Sequence, residues 1–522
     1  MAPGRPLALP GLALQGGGFR AQSTNAGLLA GLMAFLAPRQ PAPSPPRTPT
    51  LESTRLLARF AIVSSNSGSS WFFASLAYSP PYKQLLERIA AAPFRASDLH
   101  NAGYTAKFLS ATNGSGVNFR WAERVARLAS GLLGRGGEDT IYLLTYFLAT
   151  GFSWKHFVDV LLHSTASIST GVALGAPPSG EWAQGKAWLL CHSVLTPSSR
   201  YATIYQAGLG FPRVSYKARA ASPSFPDLVA AAFSVRLGGG VESDAPVRYV
   251  AGSAVGGVSA LEYSGVRFPL LDEHRAFDRN VSLSLGPSAF RAHSGMLPLT
   301  RVVAASSAFL GHTALLGPFV KELQALVSGD LTPWISSKPD GQSFEEASRL
   351  VADLKRGTTA EAVHALAEAG VHGVIDGDFT DNSGVANAVS QGEVAAGADN
   401  ITVLLNNDIS KSLLYLFEAP AASAAHAAFK AFKMLTLPHH TRYLKKMAVG
   451  SLTAVTADNF AWGISGGRQI TLHIIGTHSN LDLGEFEALK HYDQLVQEVM
   501  LTILHESNEE LVQSTLIPMF LG

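Results

Sequence analysis

The chain has 522 residues, 47% of them hydrophobic and only 15% charged, with a formal net charge of +1. The length suggests about three domains or one large α/β fold; the composition excludes disorder over most of the chain, and the charge gives no global field for nucleic acid. So few charges fit a large buried core or a surface that meets lipid, and the single Cys191 excludes an internal disulfide and suits a reducing compartment.

The opening MAPGRPLALPGLALQGGG lacks the apolar core and cleavage pattern of a signal peptide. Residues 12–14 read as the end of a strand. Gly16, Gly17 and Gly18 follow, then Phe19, Arg20 and Ala21. From residue 22 to 36 the apolar Leu28, Leu32, Phe35 and Leu36 fall on one helical face. A glycine turn between strand and helix lets backbone N–H groups approach an anion, and Arg20 adds a fixed charge able to hold a phosphate. The same turn matches the dinucleotide fingerprint Gly16-x-Gly18-x-x-Ala21. Glu52 lies too far along, past the Pro-rich residues 37–50, to serve as its ribose ligand.

Residues 60–63 form a short apolar run that reads as a buried strand. Small residues fill 64–70, and Trp71, Phe72, Phe73, Leu76 and Tyr78 then resume at helical spacing. Strand, tight turn of small residues and helix make the layout of a nucleophile elbow, with Ser67 as nucleophile and the small Ser65 and Ser69 on either side. A plain Ser/Gly-rich loop is the competing explanation.

Residues 80–240 are hard to place from sequence. Within 139–155, IYLLTYFLATGFSW is too short to span a bilayer and reads as core or as a cap over an apolar substrate site. LGGG at 237–240 reads as a loop and 247–250 as a strand. The apolar stretch 302–320 is long enough to span a bilayer, but its Ser306, Ser307, His312, two glycines and Pro318 make it a buried core segment. Helical patterns follow over 344–369, broken at Gly357. Residues 372–375 form a strand entering a turn with Asp376, Asp378 and Asp381. Strands recur at 401–405, ending at Asn406, Asn407 and Asp408, and at 470–475. Leu489, Tyr492, Val496, Val499 and Ile503 mark a closing amphipathic helix. Strands between helices predict an α/β fold, a mostly parallel central sheet flanked by helices.

Three turns stand out, each after a short apolar strand: Gly16–Gly18, Ser67 and Asp376. In an open α/β sheet the strand ends converge on one crevice. A hydroxyl nucleophile, a carboxylate and amide donors are the parts that acyl transfer needs.

LQGGGFRA, SNSGSSW and the later DGD turn, in this order, resemble the catalytic domain of cytosolic phospholipase A2 and the lysophospholipases, with patatins as more distant relatives. Leu261-Glu262-Tyr263-Ser264 and Ser306-Ser307-Ala308 extend the likeness. The resemblance implies a patatin-like core as one catalytic domain over 8–515, with a cap inserted at about 85–245. It implies a Ser67–Asp376 dyad without catalytic histidine, an oxyanion hole at Gly17 and Gly18, and Arg20 on the substrate phosphate. The implied substrate is a glycerophospholipid or lysophospholipid, hydrolysed at a carboxylic ester through an acyl-enzyme, with acyl transfer to another alcohol as a further outcome. No cofactor or metal is implied. The implied setting is cytoplasmic, with peripheral contact to a membrane or micelle surface and no nucleic-acid partner. The family's calcium-binding membrane domain is expected to be missing, because few residues precede the glycine turn. The sequence departs from the family at Ser65, where glycine is usual, and at Asp378, which leaves Asp378 and Asp381 as rivals to Asp376.

Three alternatives stay open. His473 and His478 lie where the histidine of an ordinary Ser-His-Asp hydrolase would fall, although the elbow comes early for that fold. VIDGDFT has the form used by aspartate-nucleophile phosphotransferases, with Asp376 attacking phosphorus and Asp378 as acid–base, but without a convincing later acidic pair for magnesium. A non-enzymatic lipid-binding protein would be marked by a lost nucleophile or base, and both are present. The adjacent His439 and His440 lack metal-ligand spacing.

Overall fold

The structure is a computed structural model. It describes residues 10–37, 48–113, 154–196, 204–208, 210–215, 227–237, 248–251, 266–267, 282–283, 298–308, 334–336, 371–377, 381–390, 398–406, 431–456, 466–481 and 489–522. The Asp378 rival, residues 344–369 and most of 139–155 lie outside them.

Among the described residues, eight longer strands carry the sheet: β1 Pro10–Leu14, β2 Ile62–Asn66, β3 Ala187–Thr196, β4 Asp227–Arg236, β5 Val371–Asp376, β6 Asn400–Leu405, β7 Leu444–Val455 and β8 Gln469–Ser479. The helices that matter for the site are α1 Gly18–Leu36, α2 Gly68–Tyr78, α3 Trp154–Ala166, α4 Leu299–Ser306, α5 Val385–Ser390 and α6 Leu489–Leu504. Strands β8, β6, β1, β2 and β3 run parallel in that order. Antiparallel strands flank them: β7 beside β8, and β4 and β5 beside β3. Shorter strands extend the sheet further, among them Arg248–Ala251 beside β4 and Trp334–Ser336 beside β5.

The sheet is therefore mixed, which corrects the expectation of a mostly parallel one. The excess comes from chain that sequence left unplaced. AWLLCHSVLT is a mainly apolar run, broken by His192, Ser193 and Thr196, which periodicity cannot assign to strand or helix. It becomes β3, inside the 85–245 stretch expected as a cap. That part of the stretch, with β4, belongs to the sheet itself.

Alternation along the strands separates two cores. Leu12, Leu14, Val63, Trp188 and Leu190 face α1, α2, α3 and α6. Ala13, Ile62, Leu189, Cys191, Val403 and Leu405 face the other side, with Val385 and Ala388 of α5. Helix α1 is buried from Phe19 to Met33, held between the sheet and α6. Its glycines allow that approach: a Cβ at Gly27 would fall 2.6 Å from the Val496 carbonyl. Among the described residues no helix is long and apolar enough to cross a membrane. Of 302–320, the described part is α4 and the buried Ser307 and Ala308.

Candidate active site

The geometry begins with β3. A strand has two hydrogen-bonding edges. One edge of β3 is covered along its whole length by β4, from Ala187↔Arg236 to Thr196↔Asp227. Two strands share the other edge. Parallel β2 covers it up to Asn66↔Cys191, and antiparallel β5 covers it from Val374↔Val194 down to Asp376↔His192. Strands β2 and β5 thus end head-on at neighbouring rungs. Ser67 follows Asn66 at that junction, and Asp376 closes β5 there. The junction is tight: a Cβ on Gly377 would fall 2.4 Å from Asn66 Oδ1.

Ser67 has φ 50° and ψ −126°, a conformation that residues with a Cβ rarely adopt. Such strain amounts to about 1–3 kcal/mol and persists only where the surroundings enforce it. Here they do. The Ser67 N–H donates to Ser306 Oγ at 3.3 Å, and the Ser67 carbonyl accepts the first helical bond from Ser70 N at 2.8 Å. The side chain is 8% exposed, whereas Asp376 is 1% exposed. The Asp376 N–H reaches the Ala308 carbonyl at 3.3 Å, and its carbonyl accepts from Ser193 Oγ at 2.9 Å.

The glycine turn sits on the adjoining strand. Leu14 pairs with Ser65 of β2 and with Leu404 of β6. Gly17 and Gly18 have φ of 144° and 55°, which glycine adopts without a Cβ penalty. A Cβ on Gly16 would lie 2.9 Å from Ser67 Cβ, so turn and elbow touch. At Gly68, the residue after Ser67, a Cβ would lie 2.0 Å from the Gly18 carbonyl oxygen. The N-termini of α1 and α2 therefore abut backbone to backbone, and two positive helix ends lie together. Ser69 Oγ adds a tie, donating to the Gln15 carbonyl at 2.5 Å and accepting from Asn25 Nδ2 at 2.8 Å.

Two asparagines that the motifs did not single out hold the turn. Asn406, just past β6, donates from Nδ2 to the Gln15 and Gly16 carbonyls at 2.8 and 2.9 Å, while its N–H reaches Gln15 Oε1 at 2.7 Å. Asn382 accepts the Gly16 N–H at its carbonyl, 3.0 Å, and Asn66 Nδ2 at its side-chain oxygen, 3.1 Å. A polar residue at a strand end was the available signal for Asn406. Arg20 is buried at 7% exposure. Its Nε donates to Asn406 Oδ1 at 3.4 Å and its Nη1 to the Leu481 carbonyl at 3.3 Å, so it braces the same turn.

The aromatic residues of the two motifs meet beneath the site. Trp71 packs edge-on against Phe19 at 5.4 Å, with Phe157 and Trp154 of α3 at 6.2 Å. Ser65 accepts from Trp188 Nε1 at 2.9 Å and lies 3.0 Å from Ser70 Oγ.

Of the rival bases, Asp381 is engaged as a helix cap. Its carboxylate accepts from the Ser383 N–H and hydroxyl and from Ala386 N at the start of α5. Burial nonetheless pushes its pKa up. His473 lies on β8, three strands from β2, with Nδ1 2.7 Å from Ser451 Oγ. His478 lies further along the same strand. The histidine that does come near is His192, paired with Asp376 across β3 and β5. Burial pushes it down to about 3, so it is neutral, and its Nδ1 lies 3.2 Å from the Leu190 carbonyl. Glu52 pairs at the surface with Lys83 at 2.6 Å.

No family model matches the chain, and no curated protein sequence matches it. Among solved structures, human GIVD cytosolic phospholipase A2 matches with a TM-score of 0.38 at 12% identity, over 98% of this chain and 63% of that one. The chain thus spans less than two thirds of that protein's length, and a likeness at this level fixes neither family nor activity.

Proposed function

We propose that the chain is a serine acyl hydrolase acting on carboxylic esters of glycerophospholipids or lysophospholipids, with Ser67 as nucleophile and Asp376 as base. The observation that carries this reading is the head-on meeting of β2 and β5 against one edge of β3, with the glycine turn on the adjoining strand. The lipid ester, rather than another ester, comes from the resemblance of LQGGGFRA and SNSGSSW.

The Ser67 hydroxyl attacks the ester carbonyl and passes its proton to the Asp376 carboxylate. The tetrahedral oxyanion lies against the N–H groups of Gly17 and Gly18, in the field of two helix N-termini. Collapse breaks the ester C–O bond, and Asp376 returns the proton to the leaving alkoxide. A water then attacks the acyl-enzyme with Asp376 again as base, releasing the fatty acid. Another alcohol in place of that water gives acyl transfer. The fixed charge of Arg20 beside the turn favours both the oxyanion and a substrate phosphate.

The test is labelling with a fluorescent phosphonate, peptide mapping of the adduct, and lysophosphatidylcholine turnover, in wild type, Ser67→Ala and Asp376→Asn. The expected result is label on Ser67 and turnover lowered by about 10³-fold or more in both variants. Label elsewhere, or turnover surviving Ser67→Ala, overturns the reading.

A further inference from the structure

The segment Ser306-Ser307-Ala308 touches both halves of the proposed dyad. Ser306 Oγ accepts the Ser67 N–H at 3.3 Å and donates to the Cys191 carbonyl at 2.6 Å. Cys191 is the β3 residue opposite Asn66, where β2 ends. A hydroxyl from α4 therefore stands between two strands at the point where their direct ladder stops, taking an N–H from one and giving an O–H to the other. Two residues on, the Ala308 carbonyl accepts the Asp376 N–H at 3.3 Å. Between them, the Ser307 hydroxyl accepts from Trp71 Nε1 at 3.0 Å and donates to the Val303 carbonyl at 2.8 Å, which fixes the bracket to α2 and α4.

The proton on Ser306 has one destination, because a carbonyl only accepts. Ser306 therefore accepts from Ser70 Oγ at 2.9 Å, Ser70 from Ser65 at 3.0 Å, and Ser65 from Trp188 Nε1 at 2.9 Å. Every hydroxyl in this buried chain gives its one proton and receives another. Donors and acceptors are satisfied in a single direction, the condition under which a buried polar chain rigidifies a site.

We infer that Ser306 is a positioning residue: its hydroxyl wedge sets the strained Ser67 backbone and, through Ala308, fixes Ser67 against Asp376. This deepens the hydrolase reading and rests on it. Ser306 touches no reacting atom in this role, so its loss acts on the chemical step rather than on lipid binding.

The experiment compares wild type with Ser306→Ala, Ser306→Cys, Ser306→Thr and, as a distant loss of a buried hydroxyl, Thr402→Val. Thr402 Oγ1 donates to the Met519 carbonyl at 2.7 Å, away from the elbow. Phosphonate labelling rate, kcat, KM and thermal midpoint are read for each. In Ser306→Ala, kcat and labelling rate fall by about 10- to 100-fold with KM within about threefold, the scale of a misplaced reacting group. Ser306→Thr, which keeps the hydroxyl, recovers part of the loss. Thr402→Val lowers the midpoint and leaves kcat in place. Should Ser306→Ala fail to fold, the near-isosteric Ser306→Cys, with its weak S–H donor, carries the same expectation. The inference fails if folded Ser306→Ala or Ser306→Cys keeps kcat within threefold, if the loss falls on KM, or if Thr402→Val loses as much kcat. Wild type that labels Ser67, with Ser306→Ala and Ser306→Cys keeping its labelling rate and kcat, defeats the inference alone; wild type without label on Ser67 defeats the hydrolase reading first.

Discussion

Two strand-to-helix turns lie side by side in this molecule and solve one problem differently. The turn after β1 is written in glycine, reaches positive φ at Gly17 and Gly18 without penalty, and offers backbone N–H groups. The turn after β2 reaches positive φ at Ser67, which carries a Cβ and bears the strain. In the proposed mechanism the glycine turn works through its backbone and the elbow through a side chain, which is why strain is accepted there and enforced by the neighbours. The glycine turn is accordingly held from outside by Asn406, Asn382 and Arg20, whereas the elbow is held from behind by a chain of serines.

The sharpest way to break this contrast is Ser67→Gly, which makes the second turn like the first. Turnover should fall by about 10³-fold or more while the fold gains about 1 kcal/mol in urea unfolding as the strain is relieved. A stability that drops instead shows that the elbow is not strained. Next in size is Gly68→Ala. Its Cβ meets the Gly18 backbone at 2.0 Å, where no flexible side chain can give way, so a loss of about 3 kcal/mol is expected along with turnover. Gly171→Ala, with nothing nearer than 3.8 Å, should change little in the same denaturation series. A smaller effect is expected for Asn406→Ala. Loss of its bonds to Gln15 and Gly16 loosens the glycine turn and should lower kcat about tenfold, with KM nearly constant in steady-state assays.

Acid should act on the junction through His192. Burial holds it near 3 in the fold against about 6.5 when unfolded. Between those values the unfolded chain binds the proton and the folded one does not. Stability is therefore complete above about pH 6.5 and declines as pH falls toward 3. Urea midpoints measured across that range should slope less in His192→Gln. Ser65→Gly removes one link from the serine chain. Two buried hydrogen bonds go with it, from Trp188 and to Ser70, so a loss of about 2 kcal/mol is expected in the same unfolding series.

Much of the candidate site was legible because its turns are local. Glycines beside a short strand, and small residues before Trp71, carry their conformation in a few positions, and the structure has β1, β2, α1 and α2 there. The mixed sheet was not legible, because β3 looks like any buried apolar run and its three partners are far away in the chain. Asp376 could be named from its turn, but its approach to the elbow depends on how β2 and β5 divide one edge of β3. Asn382 and Asn406 were missed for a related reason: each braces a turn that belongs to another strand. Ser306 was visible only as part of a likeness, since its partner Ser67 is 239 residues away.

The strand that brings Asp376 is held to β3 by three rungs, Val374 to Asp376 against His192 to Val194. Ser67 instead hangs on the five-stranded parallel block. A short ladder opens at lower free energy than the longer block beside it. Mild denaturant should then silence turnover while the fluorescence of the buried Trp71 and Trp188 is still native, making catalysis the more sensitive gauge of local unfolding.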